Sequence, residues 1–294
     1  MNALIYYLLF PILLFLSFMP YRVLYFFSDG IYFLFYHIFH YRRKVVKLNL
    51  TNAFPGLTAE QRLELEKKFY RHLCDVVIET IKLIHISKKS IIKRCPFSKE
   101  ATELFNSLYS KNQHVIIVMG HYGNWEMAGV SMSCNFNYKV QVVYKQLKNK
   151  YFDQLIYGLR SRFGTIPIPM NIILKVLFAN KNQLAVTAFI ADQSPSPNNA
   201  QWLTFLNQDT PVFTGVEKIA YKFNYPVVFA SVRKLKRGFY ETDAKLIVEN
   251  PSDHVPGEVT AIFMKSLEEE VINQPELWLW SHRRWKHKRS ILHK

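Results

Sequence analysis

His121 stands between Gly120 and Gly123 in the stretch "VMGHYGNWEMAG" (Val118 to Gly129), and Glu126 follows it five residues later. A neutral imidazole can take the proton of an alcohol as that alcohol attacks an electrophile. It does so best when its other nitrogen donates to a carboxylate, which fixes the tautomer and stabilises the imidazolium. Five residues is not a same-face helical spacing, so a contact between His121 and Glu126 requires a turn. The two glycines leave open space for a substrate and let the backbone approach closely. The same pattern also fits a buried histidine capping a strand-to-helix turn. No Gly-x-Ser-x-Gly elbow occurs, which sets a serine hydrolase aside. The three cysteines, Cys74, Cys95 and Cys134, lie outside any CxxC or Cys/His cluster, so no metal site is expected.

These residues need elements to carry them. Thr58-Ala59-Glu60-Gln61 matches a capping box, and Leu65, Phe69, Leu73, Val76, Val77 and Ile81 continue at helical spacing. Strand-like and helix-like segments then alternate. Strands are predicted over 114–119, 140–144, 184–191, 226–232 and 240–248, and helices over 125–132, 151–163, 215–223 and 259–271. Gly164 suits the position just past a helix end. This alternation predicts an α/β fold with a mixed, largely buried sheet flanked by helices. His121, Tyr144-Lys145 and Asp192-Gln193 then all fall at carboxyl ends of strands, where open α/β sheets bind ligands.

Composition narrows the partner. The 294 residues carry a formal charge of +16, and aromatics reach 15%. Such a balance points to an anionic partner: nucleic acid, an anionic membrane surface, or an acidic or phosphorylated molecule. The first residues decide among these. Met1 to Tyr21 holds no charged side chain and is about the length that a ~30 Å hydrocarbon core requires. A signal peptide would show a basic start and small residues at a cleavage site, and neither is present. A retained membrane anchor is therefore expected, followed by an interfacial or domain-packed segment from Val23 to Tyr41. Arg42-Arg43-Lys44 and Lys47 would keep the remainder on the cytoplasmic side. The division expected is 1–45 for anchor and interfacial segment, and 46–294 for the catalytic domain. Trp278 and Trp280, just before the basic run His282 to Arg289, suit a membrane interface.

Several blocks together resemble one family. "GHYGNWEMAG" resembles the first motif of the lysophospholipid acyltransferase superfamily, in the branch of lipid A (lauroyl/myristoyl-type) late acyltransferases that carries His-x4-Glu. "YRRKVVKLNLTNAFPGLT" (41–58), Tyr144 to Arg162, "ADQSP" (191–195), "FLNQDTPVFTGVEKIA" (205–220) and "LWLWSHRRWK" (277–286) are similar to its later blocks. Lys145-Gln146 departs from the Arg-Pro found in many members. The resemblance covers nearly the whole chain.

It implies a glycerolipid-acyltransferase-like fold and an O-acyltransferase that moves a fatty acyl chain from a thioester to a hydroxyl of a lipid A-type precursor. His121 would be the general base and Glu126 its orienter, with no acyl-enzyme and no cofactor beyond the acyl-thioester co-substrate. The donor would be acyl carrier protein or acyl-CoA, and the place the bacterial inner membrane. Arg160 would meet substrate, or simply the dipole at its helix end. Arg162 has the same two readings. Asp192 could hold an arginine, orient a substrate or cap a loop. Thr214 and Gly215 could offer backbone N–H groups to a phosphate or oxyanion, with Thr214 equally a plain N-cap. Rival functions are acylation of a lysophospholipid, aminolipid or glycolipid, and a non-catalytic basic protein on membrane or nucleic acid. The apolar N-terminus and the glycine-flanked histidine make nucleic acid the poorer partner.

Overall fold

The computed structural model describes residues 2–197 and 200–289. Eleven α-helices among them surround a six-stranded sheet of order β3-β2-β4-β1-β7-β8. The strands are β1 (Val115–Met119), β2 (Lys139–Tyr144), β3 (Ile166–Pro169), β4 (Ala185–Ile190), β7 (Val227–Lys236) and β8 (Phe239–Val248). All neighbours are parallel except β7 and β8, which form an antiparallel pair. A separate hairpin joins β5 (Gln201–Phe205) to β6 (Gln208–Val212). The mixed sheet flanked by helices is the fold the alternation predicted.

Central β1 is a run of five buried residues, as a parallel strand covered on both faces must be. Ile116 and Val118 face one half of the core, with Phe263 and Leu267 of α11 (Glu258–Asn273). Val115, Ile117 and Met119 face the other half, with Ala101 and Phe105 of α6 (Lys99–Ser110). β3 went unpredicted because it reads "IPIP". Its prolines cannot donate to a ladder and are tolerated at the sheet edge, where β3 lies. The β5–β6 hairpin was also missed. Its turn uses Leu206 and Asn207, both at positive φ, in place of the usual glycine.

The N-terminus corrects an expectation. Among the described residues no helix is long and apolar enough to cross a membrane. The uncharged run ends as α1 (Asn2–Phe18), 17 residues or about 25 Å at 1.5 Å per residue. Met19 and Pro20 break it, and α2 (Tyr21–Phe33) starts afresh. Lys82 at the end of α4 (Ala59–Lys82) donates to the carbonyls of Ser17 and Met19, capping α1 from outside. Tyr6 stacks on Tyr151 of α8 (Lys150–Ser161), while Leu4, Tyr7, Leu8, Ile12 and Phe15 stay exposed.

Helix α2 packs on the domain, one of the two placements expected for 23–41. Leu24 and Ser28 are buried, Ser28 donates to Asp75, and Asp29 pairs with Arg237. The capping box of α4 is present as read, with Thr58 and Gln61 bonded reciprocally. Next, α3 (Arg43–Ala53) lies on the C-terminal segment, where Asn49 donates to the carbonyls of Trp280 and His282.

Candidate active site

Strands β1 and β4 lie side by side in parallel, with Met119 opposite Ile190. The Ala191 N–H continues the ladder to the Met119 carbonyl, so His121 and Asp192 leave the sheet together. The His121 N–H donates to Asp192 Oδ2 at 2.8 Å, and Nδ1 lies 2.6 Å from Oδ1. Trp278 Nε1 donates to the same Oδ2 at 2.9 Å. Burial alone would raise the Asp192 carboxyl, but the His121 charge and these donors outweigh it and hold it at about 2. Burial likewise works against charge on His121, yet Asp192 first and Glu126 second raise its pKa above the ordinary value.

With its proton on Nδ1 facing Asp192, the imidazole presents a lone pair at Nε2. Gln193 Nε2 reaches that nitrogen at 3.3 Å, from a solvent-exposed position. The ring keeps 18% of its side-chain surface open, whereas Asp192 keeps 3%. A buried acceptor behind and an accessible lone pair in front is the layout of a general base.

Glycine is required at 123 and sits in a tight place at 120. A Cβ on Gly120 would lie 2.7 Å from the Leu267 side chain and 3.3 Å from Asp192 Oδ2. Gly123 has φ of +61°, and a Cβ there would lie 2.2 Å from the Val232 carbonyl.

Glu126 has a different partner from the one its spacing suggested. Asn124 caps α7 (Trp125–Asn135), which puts Glu126 in the first turn of that helix, against α8. There Arg160 grips it with two donors, Nε at 2.9 Å to Oε2 and Nη2 to Oε1. The position behind His121 belongs to Asp192. Arg160 also lies 5.9 Å from the Tyr144 ring, which ties the end of β2 to the Glu126–Arg160 pair.

Other candidates sit elsewhere. Arg162 donates to the Leu83 carbonyl at the end of α4. It also lines a cavity of about 340 Å³ between α1 and α8, with Tyr6, Phe10, Leu155 and Gly158. At 100° per residue, Gly158 and Arg162 lie on the opposite face of α8 from Arg160. Thr214 and Gly215 begin α10 (Gly215–Phe223) as predicted, without a side-chain cap, and bond to neither ion pair.

The C-terminal segment is built into the site. Gly123 N–H donates to the Leu277 carbonyl, and Leu279 N–H donates to the His121 carbonyl. Trp278 and Trp280 are 2% and 0% exposed, so they are core residues and not the interface residues expected. Their amphipathic rings find partners inside: Trp280 Nε1 donates to the Pro275 carbonyl. Arg284 is fully buried beside Ser194, and burial pushes its guanidinium down to about 10 against the pull of Asp192. His72 of α4, which sequence reasoning did not single out, donates through Nε2 to the Gly123 carbonyl at 3.2 Å. Burial, with Lys234 nearby, takes it down to about 3, so it stays neutral.

The model of the bacterial lipid A biosynthesis acyltransferase family matches residues 1–287. This chain belongs to that family. It is therefore an O-acyltransferase of lipid A biosynthesis. Similar proteins include the lipid A biosynthesis palmitoleoyltransferase of Escherichia coli (strain K12), 23% identical over 249 residues, 83% of this chain and 79% of that one. The lipid A biosynthesis acyltransferase of Shigella flexneri matches with the same identity and coverage.

Proposed function

We propose that this acyltransferase moves a fatty acyl chain from a thioester donor to a hydroxyl of a lipid A-type precursor, with His121 as general base. The observation that carries this reading is the 2.6 Å contact from His121 Nδ1 to buried Asp192, which leaves Nε2 accessible. Nε2 takes the acceptor's hydroxyl proton as the oxygen attacks the thioester carbonyl. The tetrahedral intermediate collapses with cleavage of the carbon–sulfur bond, and the proton leaves with the thiol. Attack is direct, and no acyl-enzyme forms.

Arg160 serves substrate in this scheme. Glu126 occupies its Nε and Nη2, which fixes the guanidinium plane and leaves Nη1 for an anionic oxygen of either substrate. Asp192 orients the base, where Glu126 had been expected to do so. Arg162, Thr214 and Gly215 carry no step.

Residues 46–294 then form the catalytic unit and the first 45 a membrane seat. The exposed apolar side chains of α1 and α2, with Arg42 and Lys44 close by, suit a helical pair lying in the interface of the inner membrane. The catalytic face would be cytoplasmic, where acyl carrier protein and acyl-CoA, both anionic, meet a chain of charge +16.

The test is acyl transfer by purified enzyme from an acyl carrier protein or CoA thioester to a lipid A precursor, read by mass spectrometry. His121→Ala should lower turnover by about 10²–10⁴-fold, the usual worth of general-base catalysis. Near-wild-type turnover would remove His121 from this role. Transfer only to a lysophospholipid, aminolipid or glycolipid would keep the chemistry and change the acceptor.

A further inference from the structure

Glu79 of α4 is fully buried and its carboxylate accepts three hydrogen bonds. Asn124 Nδ2 donates to Oε2 at 2.6 Å, Tyr240 Oη to Oε2 at 2.8 Å, and Tyr25 Oη to Oε1 at 2.9 Å. Among the described residues no cation pairs with it. Burial, with Asp75 one turn away adding to it, raises the carboxyl to about 7 in spite of the three donors. A carboxyl held at that cost is a poor device for stability, since an apolar side chain of similar size needs no such compensation.

What Glu79 does hold is the turn between the two ion pairs. Asn124 lies between His121 and Glu126. Its Nδ2 points to Glu79 and its Oδ1 accepts the Met127 N–H at 2.9 Å, capping α7. With one end of the amide fixed by Glu79, the other must face the helix. One residue earlier, His72 on the same α4 holds the Gly123 carbonyl. So α4 grips the turn at two successive residues and sets the angle at which α7 presents Glu126 beside His121. Tyr25 ties the same carboxylate to α2, whose Phe26 and Phe27 face outward.

We propose that Glu79 is a positioning residue for acyl transfer, acting through Asn124 to register Glu126 and Arg160 against His121. This rests on the proposed roles of His121 and Arg160, since Glu79 itself faces no substrate.

Two substitutions separate positioning from packing. Glu79→Leu keeps the bulk and strands the Asn124 amide. Glu79→Gln can place its carbonyl where Oε2 lies, accepting from Asn124 and Tyr240, while its amide donates to a rotated Tyr25 hydroxyl. Expected for Glu79→Leu is a fall in kcat of about ten- to a hundredfold together with a rise in the KM of the anionic substrate, because an unpaired buried donor at the turn lets Glu126 and Arg160 shift. Glu79→Gln should recover kcat to within about threefold of wild type, on the same scale. Amide hydrogen exchange supplies a reading independent of turnover: the Met127 N–H should exchange faster in Glu79→Leu and stay protected in Glu79→Gln. The idea is overturned if Glu79→Leu folds with wild-type kcat and a protected Met127 amide, or if Glu79→Gln is as impaired as Glu79→Leu. Failure of the catalytic reading looks different, because His121→Ala would then keep its turnover while the exchange results stood.

Discussion

Two carboxylates lie close to His121, and they are held in opposite ways. Asp192 is almost completely enclosed and takes all its partners from the reacting side: the His121 ring, the His121 backbone and the Trp278 indole. Glu126 is more open and spends both oxygens on Arg160. A carboxylate facing an imidazole governs a proton, because it decides which nitrogen carries one. A carboxylate facing a guanidinium governs a position, because arginine never gives its proton up. Sequence distance favours Glu126 as the partner of His121, whereas sheet adjacency delivers Asp192, 71 residues away.

The largest expected effect tests that division. Asp192→Asn should cut turnover by roughly 10³–10⁴-fold, since an amide opposite Nδ1 favours the wrong tautomer. The pH profile gives the sign. Asp192 raises the pKa of His121, and the base works when neutral, so wild-type activity should climb as pH rises through that raised value. Without the carboxylate the pKa falls, so the acid limb of kcat/KM should move to lower pH while the plateau drops.

Glu126→Gln and Arg160→Lys come next. Each breaks a charged, two-pronged contact, a loss of about tenfold to a hundredfold if a hydrogen bond to a charge is worth ~1.5–3 kcal/mol. The acid limb should move far less than in Asp192→Asn, and the KM of the anionic substrate should rise. Were Glu126→Gln to shift the acid limb as far as Asp192→Asn, Glu126 would be the orienter after all and the division drawn above would fail.

The sheet and its helices were legible because their signals are local: β-branched runs, a capping box and a glycine past a helix end. The strand-end positions of His121 and Asp192 were legible for the same reason. That they touch was not, because strand order is set by packing and leaves no mark in spacing. Arg160 was readable as a candidate but not as the partner of Glu126, which depends on α7 and α8 meeting. Trp278 and Trp280 misled because aromatic residues beside a basic run look alike whether a bilayer or a core receives them. The N-terminal run misled in a related way. Its uncharged length fits a span, but its helix stops at Phe18, where Pro20 and the Lys82 cap end it, and α2 starts afresh against α4.

Trp278→Phe probes the Asp192 pair more gently. A smaller aromatic ring remains and the Nε1 donor goes, so the depressed carboxyl of Asp192 loses one of its stabilising bonds. A decrease in kcat of about tenfold is expected from one hydrogen bond to a charge, with little change in the KM of either substrate. A rise in KM without loss of kcat would instead make Trp278 a substrate contact.

The smallest effect belongs to the end of the C-terminal run, where burial divides like from like. Arg284 is enclosed next to Ser194, whereas Lys288 and Arg289 are exposed. Exposed charges act through long-range attraction, which falls off within about 8 Å at physiological ionic strength. Replacing Lys288 and Arg289 with glutamine should therefore weaken binding to anionic vesicles at low salt and leave kcat unchanged. Raising the salt should bring wild type and variant together. Arg160→Lys should show the reverse, a turnover defect that salt does not erase, because its partner is half-buried and poorly screened. If the tail variant were inactive at every salt concentration and Arg160→Lys were unaffected, the anionic substrate group would sit at the C-terminus, and the Glu126–Arg160 pair would serve only to pack α7 on α8.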